Sequence, residues 1–415
     1  MKKNFTFFLT FCFAKGIVFL APLFLADILS KVDFGILEYS LAGIGLFLNA
    51  VVNLGIPGAY PYFTIRKKDI SVKEGFYLHG LWLSLYFVIN QIIYFSTDQY
   101  GLDIYLALNI SFIVASQLFY SSQLKSHEKI HFAVLLDGGV YILLGVLLTG
   151  YFLKIVSMTI ENINLIVLSY AVFFFIFGII NFLKSEKKQI FNKYKKIISF
   201  SIHLLISSVF LFLLTISGRV LAKLFFGYEE AGLYGFYFRL AAIVVMIYQI
   251  VSIRYFKDLY TIDHKKLDKY FSLFFIFIFI TSLVLYFISP YIVPIFSNFF
   301  KETILKSNTL YFIIFCQMTM WIATALNSNI IDREGLAKTN NKYFILLFIL
   351  VVLVLLIFKN KITLNILSFG IYTVFFITNL VQYFTLYKKK ILFKKASIVL
   401  ITIYTTSTVI ILFIN

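Results

Sequence analysis

The chain has 415 residues, of which 61% are hydrophobic, 20% aromatic and only 13% charged. Soluble domains hold about 45–50% apolar and about 25% charged residues, so a soluble core of this length lacks the polar surface it would need. The net charge of +18 would suggest nucleic acid in a soluble protein, but here the basic residues lie between apolar runs, which points to membrane topology and away from a nucleic-acid partner.

Each apolar run is long enough to cross a hydrocarbon layer of roughly 30 Å. The first, 5–27, follows Lys2 and Lys3 and contains Lys15. No clean small-residue cleavage site follows it, so it reads as a retained helix. Asn53 lies near the end of the second span, 36–57. The third and fourth are 75–96 and 103–123. The fifth, 131–153, carries Asp137, and the sixth is 161–184. A basic stretch, 185–196, precedes the seventh span, 197–222. In that span Ser201, Ser208, Thr215 and Arg219 share one face of a continuous helix, with His203 nearly opposite. The eighth, 232–255, carries Arg239 about two turns in. Then come 270–294, 308–330, and a hairpin of 342–358 and 363–386. The last, 396–414, is diluted by threonines.

The fold class expected is an all-α polytopic membrane helix bundle. It has about 12–13 transmembrane helices in two pseudo-related lobes around a central cavity. The lobes are 1–184, with six spans, and 197–415, with six or seven, joined by a basic cytoplasmic linker, 185–196. A weak internal echo supports two related halves. Asp33-Phe34-Gly35-Ile36-Leu37 and Glu230-Ala231-Gly232-Leu233-Tyr234 open corresponding helices, and each precedes a Leu-Ala pair, Leu41-Ala42 or Leu240-Ala241.

A charge inside the bilayer costs about 2.5–3.5 kcal/mol on insertion scales, so each is a site candidate. The candidates are Lys15, Arg219 and Arg239, with Asn53 as a polar neighbour. Asp137 reads as the one internal carboxylate, for proton coupling or for a lysine ion pair. Gln91, Asn109, Gln117, Gln249, Gln317, Asn327 and Asn379 read as interhelical glue, and the many Phe and Tyr rings as mostly lipid-facing. Cys12 and Cys316 lack metal-ligand spacing and read as reduced packing residues. The mostly basic set favours an anionic headgroup, since Arg holds phosphate bidentately. No catalytic or metal motif is visible, and the chain reads as a transporter that needs no cofactor.

Asp33-Phe34-Gly35-Ile36-Leu37-Glu38-Tyr39-Ser40-Leu41-Ala42, Asn53-Leu54-Gly55-Ile56-Pro57, Glu229-Glu230-Ala231-Gly232-Leu233-Tyr234 and Arg239-Leu240-Ala241 resemble the polysaccharide transporter family. These are O-antigen flippases of the Wzx type, in the superfamily of the multidrug and toxin extrusion exporters. The family carries an Asp before the Arg at the end of the seventh helix, where this chain has Gly218 beside Arg219. The resemblance implies a two-lobed bundle with Lys15, Asn53, Arg219 and Arg239 on cavity-lining helices. It also implies an undecaprenyl-diphosphate-linked oligosaccharide as substrate, coupling to a proton or sodium gradient, and a bacterial inner membrane. A repeat-unit polymerase and a chain-length regulator are the protein partners it implies. A cation or drug exporter of the same superfamily is the alternative, opposed by the scarcity of internal carboxylates. A membrane polymerase or glycosyltransferase is another, opposed by the short loops.

Of the 37 Lys and Arg residues, 27 fall in alternate loops together with the N-terminus, 7 in the opposite loops and 3 within spans. By the positive-inside rule the richer set is cytoplasmic. Cysteines introduced at Lys67, Lys188, Lys265 and Lys389 should therefore resist an impermeant reagent in intact cells; labelling at Lys188 would overturn the two-lobe topology.

Overall fold

Without water in the hydrocarbon layer, each backbone N–H and C=O must be paired within its own segment, and every regular element among the described residues is helical. The computed structural model describes residues 2–66, 69–96, 101–185, 189–215, 217–254, 262–304, 307–334 and 336–414. Lys67, Lys68, Lys187, Lys188, Lys257 and Lys306 of the charge map lie outside these. Among the described residues ten helices are long and apolar enough to cross a membrane, or up to twelve when each of two bent pairs counts as one crossing. The protein is a multi-pass all-α membrane bundle.

Two compact units divide the chain, Met1–Val209 and Phe210–Asn415. The first holds α1 (Lys2–Ile28), α2 (Lys31–Glu38), α3 (Ile44–Val52), α4 (Ile56–Pro61), α5 (Lys73–Ser96), α6 (Leu102–Ser126), α7 (Ile130–Asp137), α8 (Gly139–Phe152) and α9 (Ile160–Leu183). It also takes the first part of α10 (Ile190–Thr215). The second holds α11 (Gly218–Phe226), α12 (Tyr228–Ala241), α13 (Ile243–Arg254), α14 (His264–Ile292), α15 (Asn298–Thr303), α16 (Asn308–Arg333), α17 (Ala337–Phe358), α18 (Leu364–Tyr387) and α19 (Lys394–Ile414).

The division falls inside α10, not in the basic segment 185–196 where the sequence places it. Residues from Ile190 onward are already helical, and they are tied into the first unit. Lys193 pairs with Glu74, Lys196 with Asp69 at 2.7 Å, and the Tyr194 hydroxyl meets His79 Nδ1 at 3.2 Å. Charge made the segment look like a linker; Lys193 and Lys196 are instead contacts to α5 and to the loop before it.

Several predicted spans are broken. A π-helical turn, Tyr39–Gly43, joins α2 to α3. α7 and α8 bend by 62° at Gly138, and α12 and α13 by 47° at Ala242. The predicted seventh span ends as a helix at Thr215 and resumes at Gly218. There the Ser217 hydroxyl donates back to the Leu213 carbonyl at 2.9 Å, a bond that bends helices. The internal echo reappears in this pattern. Asp33 and Glu230 stand in first turns, where acids favour the helix dipole. Leu41-Ala42 lie in the π-helical turn and Leu240-Ala241 run into the bend.

Buried amides hold the second unit. Asn379 Nδ2 donates to the Met320 carbonyl and to Thr324 Oγ1, both at 3.0 Å, and Asn327 Nδ2 donates to Asn379 Oδ1 at 2.9 Å. Gln382 Nε2 donates to the Thr324 carbonyl at 3.1 Å. In the first unit Asn90 and Gln91 both donate to Asn109 Oδ1 at 2.9 Å. The reading of these amides as interhelical glue matches the bonds they make. The reading of the aromatics as lipid-facing fails for a large set. Tyr60, Tyr105, Tyr234, Tyr237, Tyr311 and Tyr372 are fully buried, two of them, Tyr237 and Tyr311, in a ring cluster with Tyr286 and Phe300. Large flat rings pack the interior, and the hydroxyls of Tyr60, Tyr105, Tyr234 and Tyr311 find partners there.

The turn between α3 and α4 needs its glycine. Leu54 and Gly55 have φ of 52° and 70°, and a Cβ on Gly55 would collide with the Ser201 carbonyl and the Leu205 amide nitrogen of α10. Gly55→Ala should therefore lower the thermal stability of the purified protein by at least about 1–3 kcal/mol, the scale of left-handed strain alone. Gly370→Ala, where nothing lies within 4 Å of the added carbon, should leave it unchanged; equal effects would remove the close-approach argument.

Candidate functional site

In the second unit α11 and α12 form a hairpin that carries both arginines. Arg219 stands in the first turn of α11 and is 4% exposed. Its guanidinium carbon lies 4.6 Å from the centre of the Phe238 ring, and Nη2 donates to the Gly235 carbonyl at 3.4 Å. A desolvated cation–π contact is worth about 2 kcal/mol, comparable to the insertion cost of the charge. Arg219 is therefore seated against α12 and does not reach to an aqueous boundary as an interfacial side chain would.

Gly218 explains the departure from the Asp-Arg pattern. A Cβ there would collide with the ring and hydroxyl of Tyr234, so this position has no room for a carboxylate. The Tyr234 hydroxyl donates to Gln317 Oε1 at 3.1 Å, and Gln317 Nε2 donates to the Ser368 carbonyl at 2.8 Å. A neutral buried chain thus runs from α12 through α16 to α18.

Arg239 is 6% exposed and lies in the last turn of α12, immediately before the 47° bend. The sequence placed it in the body of a continuous helix. At a C-terminus the carbonyl end of the dipole favours a cation by about 0.3–1 kcal/mol.

In the first unit Lys15 is half-buried, with Nζ 6.0 Å from the centre of the Phe11 ring. The neighbouring Ala14 and Val18 face Gly138 at the α7–α8 break. This brings Lys15 within electrostatic reach of Asp137, which attracts it, and of Lys125, which repels it. Asp137 Oδ2 accepts from Lys125 Nζ at 2.7 Å. The carboxylate is thus an ion-pair partner at a helix break. Lys125 is about half exposed, and exposed pairs contribute only about 0–1 kcal/mol.

Asn53 is 4% exposed and enclosed by helices. Its Nδ2 donates to Asn49 Oδ1 at 2.7 Å and to the Ala115 carbonyl at 3.2 Å, and its Oδ1 lies 3.3 Å from His79 Nε2. These partners give Asn53 an interhelical packing role at the end of α3. On the predicted seventh span Ser201 is buried and His203, nearly opposite, is exposed, as their spacing placed them; Ser208 is exposed as well, and Arg219 belongs to α11.

Three charged or titratable residues escaped the sequence reading. His79 is fully buried between Asn53 and Tyr194, and Glu38 is fully buried at the end of α2. Asp268 accepts from the Lys395 and Ala396 amides at 3.1 and 2.8 Å and caps α19. Glu38 was legible as an acid inside the second span. Asp268 and His79 depend on partners more than 100 residues away, which nothing local announces. Among the described residues no group of His, Cys, Asp and Glu could hold a metal ion. Cys12 and Cys316 are free thiols. Comparison with protein-family models and with curated proteins finds no match for this chain.

The Gly218–Tyr234 contact can be tested by restoring the acid. Gly218→Asp should lower the amount of membrane-inserted protein severalfold, because the ring leaves no space. Combining it with Tyr234→Ala should recover most of that loss. Normal abundance of the single variant would show that the site accommodates a carboxylate.

Proposed function

We propose that this protein is a flippase. It moves a polyprenyl-diphosphate-linked oligosaccharide from the cytoplasmic to the outer leaflet of a bacterial inner membrane, by alternating access, for surface polysaccharide synthesis. The observation that carries this reading is the placing of charge at helix breaks. Arg239 stands at the bend of one discontinuous span, and Asp137, with Lys15 facing it, at the bend of the other. Non-helical backbone at membrane depth persists only where it is buried in protein or lines a cavity, and secondary transporters hold ionic substrates at such points. Two nearly buried arginines on one hairpin suit a diphosphate, which takes bidentate contacts. The resemblance to the polysaccharide transporters supplies the lipid-linked sugar, and the uneven split of basic residues between loops supplies the N-terminus-inside orientation.

Asp268 caps a helix, while Glu38 and the paired Asp137 are carboxylates within the bundle that any proton or sodium coupling could use. Repeat-unit polymerase and chain-length regulator would act on the product, and nucleic acid has no place in this scheme.

Deleting the gene should leave lipid-linked repeat units on the cytoplasmic face and remove the surface polymer. Intact polymer with heightened sensitivity to cationic drugs would favour the exporter. Arg239→Ala should bind substrate about 10- to 150-fold more weakly, the scale of one charge-assisted hydrogen bond of about 1.5–3 kcal/mol, at normal membrane abundance. Arg239→Lys should retain partial transport, because the charge survives without the fork. Surface polymer per unit of inserted protein is the measurement; normal polymer in Arg239→Ala would remove this residue from the site.

A further inference from the structure

The first unit contains a cavity of about 730 Å³ whose lining is part aromatic, with Tyr62, Phe63 and Phe200, and part polar, with Asp69, Lys196, Ser199 and His203. Its volume falls within the roughly 300–1,000 Å³ usual for small-molecule sites. One face of α10 supplies four of these residues, since 196, 199, 200 and 203 recur at helical spacing. Lys196, Ser199 and His203 are exposed along that face, while Ile197 and Ser201 are buried behind it. The rings of Tyr62 and Phe200 stack at 4.0 Å with 14° between planes, Phe63 meets Phe200 edge-on at 5.5 Å, and Tyr62 and Phe200 are only half-buried.

The charge in the lining is balanced. Lys196 Nζ lies 2.7 Å from Asp69 Oδ2, and the Ser71 hydroxyl donates to Asp69 Oδ1. The lysine and serine hydrogen bonds hold the Asp69 carboxyl below the usual carboxylate range, and its amide donates to the Phe63 carbonyl at 2.9 Å. A phosphate would meet a lysine already neutralised by Asp69. A cation would meet a carboxylate already neutralised by Lys196. An acyl chain would strip water from an ion pair, at a cost of several kcal/mol per ion. A sugar ring fits the lining better: its C–H face packs on aromatic carbon, and its hydroxyls donate to an ionised carboxylate in charge-assisted bonds while accepting from Lys196, Ser199 or His203.

We propose that this cavity is a saccharide subsite that holds a sugar of the lipid-linked substrate before translocation. The proposal rests on the flippase reading and on the orientation that puts the loops beside Asp69 and Lys196 in the cytoplasm.

The test uses the full chain in its own cells, with photo-cross-linking p-benzoylphenylalanine in place of Ser199, of Phe238 beside Arg239, or of the exposed Leu346 on α17 as a lipid-facing control. Mass spectrometry of the irradiated protein reads the adducts. A saccharide-bearing adduct at 199, absent at 346, is expected. In an Asp69→Asn background its yield should fall about tenfold or more, the scale of one lost charge-assisted hydrogen bond, with the adduct at 238 unchanged. Phospholipid adducts alone at 199, alongside saccharide-lipid adducts at 238, would overturn the subsite and leave the flippase reading standing. Absence of saccharide adducts at both positions would overturn the two together. An undiminished adduct at 199 in Asp69→Asn would overturn the assignment of the polar lining.

Discussion

The constraint on which this structure depends is that the bilayer offers no water to an unpaired backbone group. Helices satisfy it throughout the described residues, so any interruption of a helix must be compensated by protein. At the turn after α3, the Trp82 indole donates to the Val52 carbonyl at 3.0 Å, Ile56 N donates to the Asn53 carbonyl at 2.9 Å, and the Ser122 hydroxyl donates to the Pro57 carbonyl at 2.6 Å. Interruptions are therefore the places where polar side chains gather. That is why Asn53, Asp137, Arg219 and Arg239 all stand within a few residues of a helix end.

A second consequence concerns α10. Its first turns are among the most basic in the chain, and charge alone marks them as solvated. In the structure that charge is directed at acids of the first unit, Glu74 and Asp69, while the apolar and hydroxyl side of the same helix lies against Gly55. Each exposed ion pair contributes only about 0–1 kcal/mol. The close approach at Gly55, the buried Tyr194–His79 bond and the Tyr62–Phe200 stack contribute packing that salt does not screen. The helix is docked along its length up to the point where Phe210 begins to pack with Phe344 and Leu347 of the second unit.

Hydropathy made the helical class and most of the apolar spans legible, because a run of apolar residues has one solution in lipid. Its resolution ends where a helix bends without leaving the apolar layer. Leu136 to Leu144 and Leu240 to Val245 are apolar enough to read as continuous, although a 62° and a 47° bend lie inside them. The spacing on α10 placed Ser201 and His203 on opposite sides, but the partner of the inward side was illegible. It is Gly55, a residue about 150 positions earlier. Arg219 was legible as a buried cation, but its aromatic seat on Phe238 follows from the α11–α12 hairpin and not from spacing.

That seat differs from the Asp-Arg pattern that the resembling family places at this arginine. A ring face and a backbone carbonyl lie against the guanidinium and help offset the desolvation of Arg219. Tyr234 enforces the difference: its ring occupies the space an aspartate would need, and its hydroxyl is committed to Gln317. The same tyrosine that removes the acid thus links the arginine hairpin to the amide-bonded α16–α18 interior, so the electrostatic character of the hairpin and its mechanical support come from one side chain.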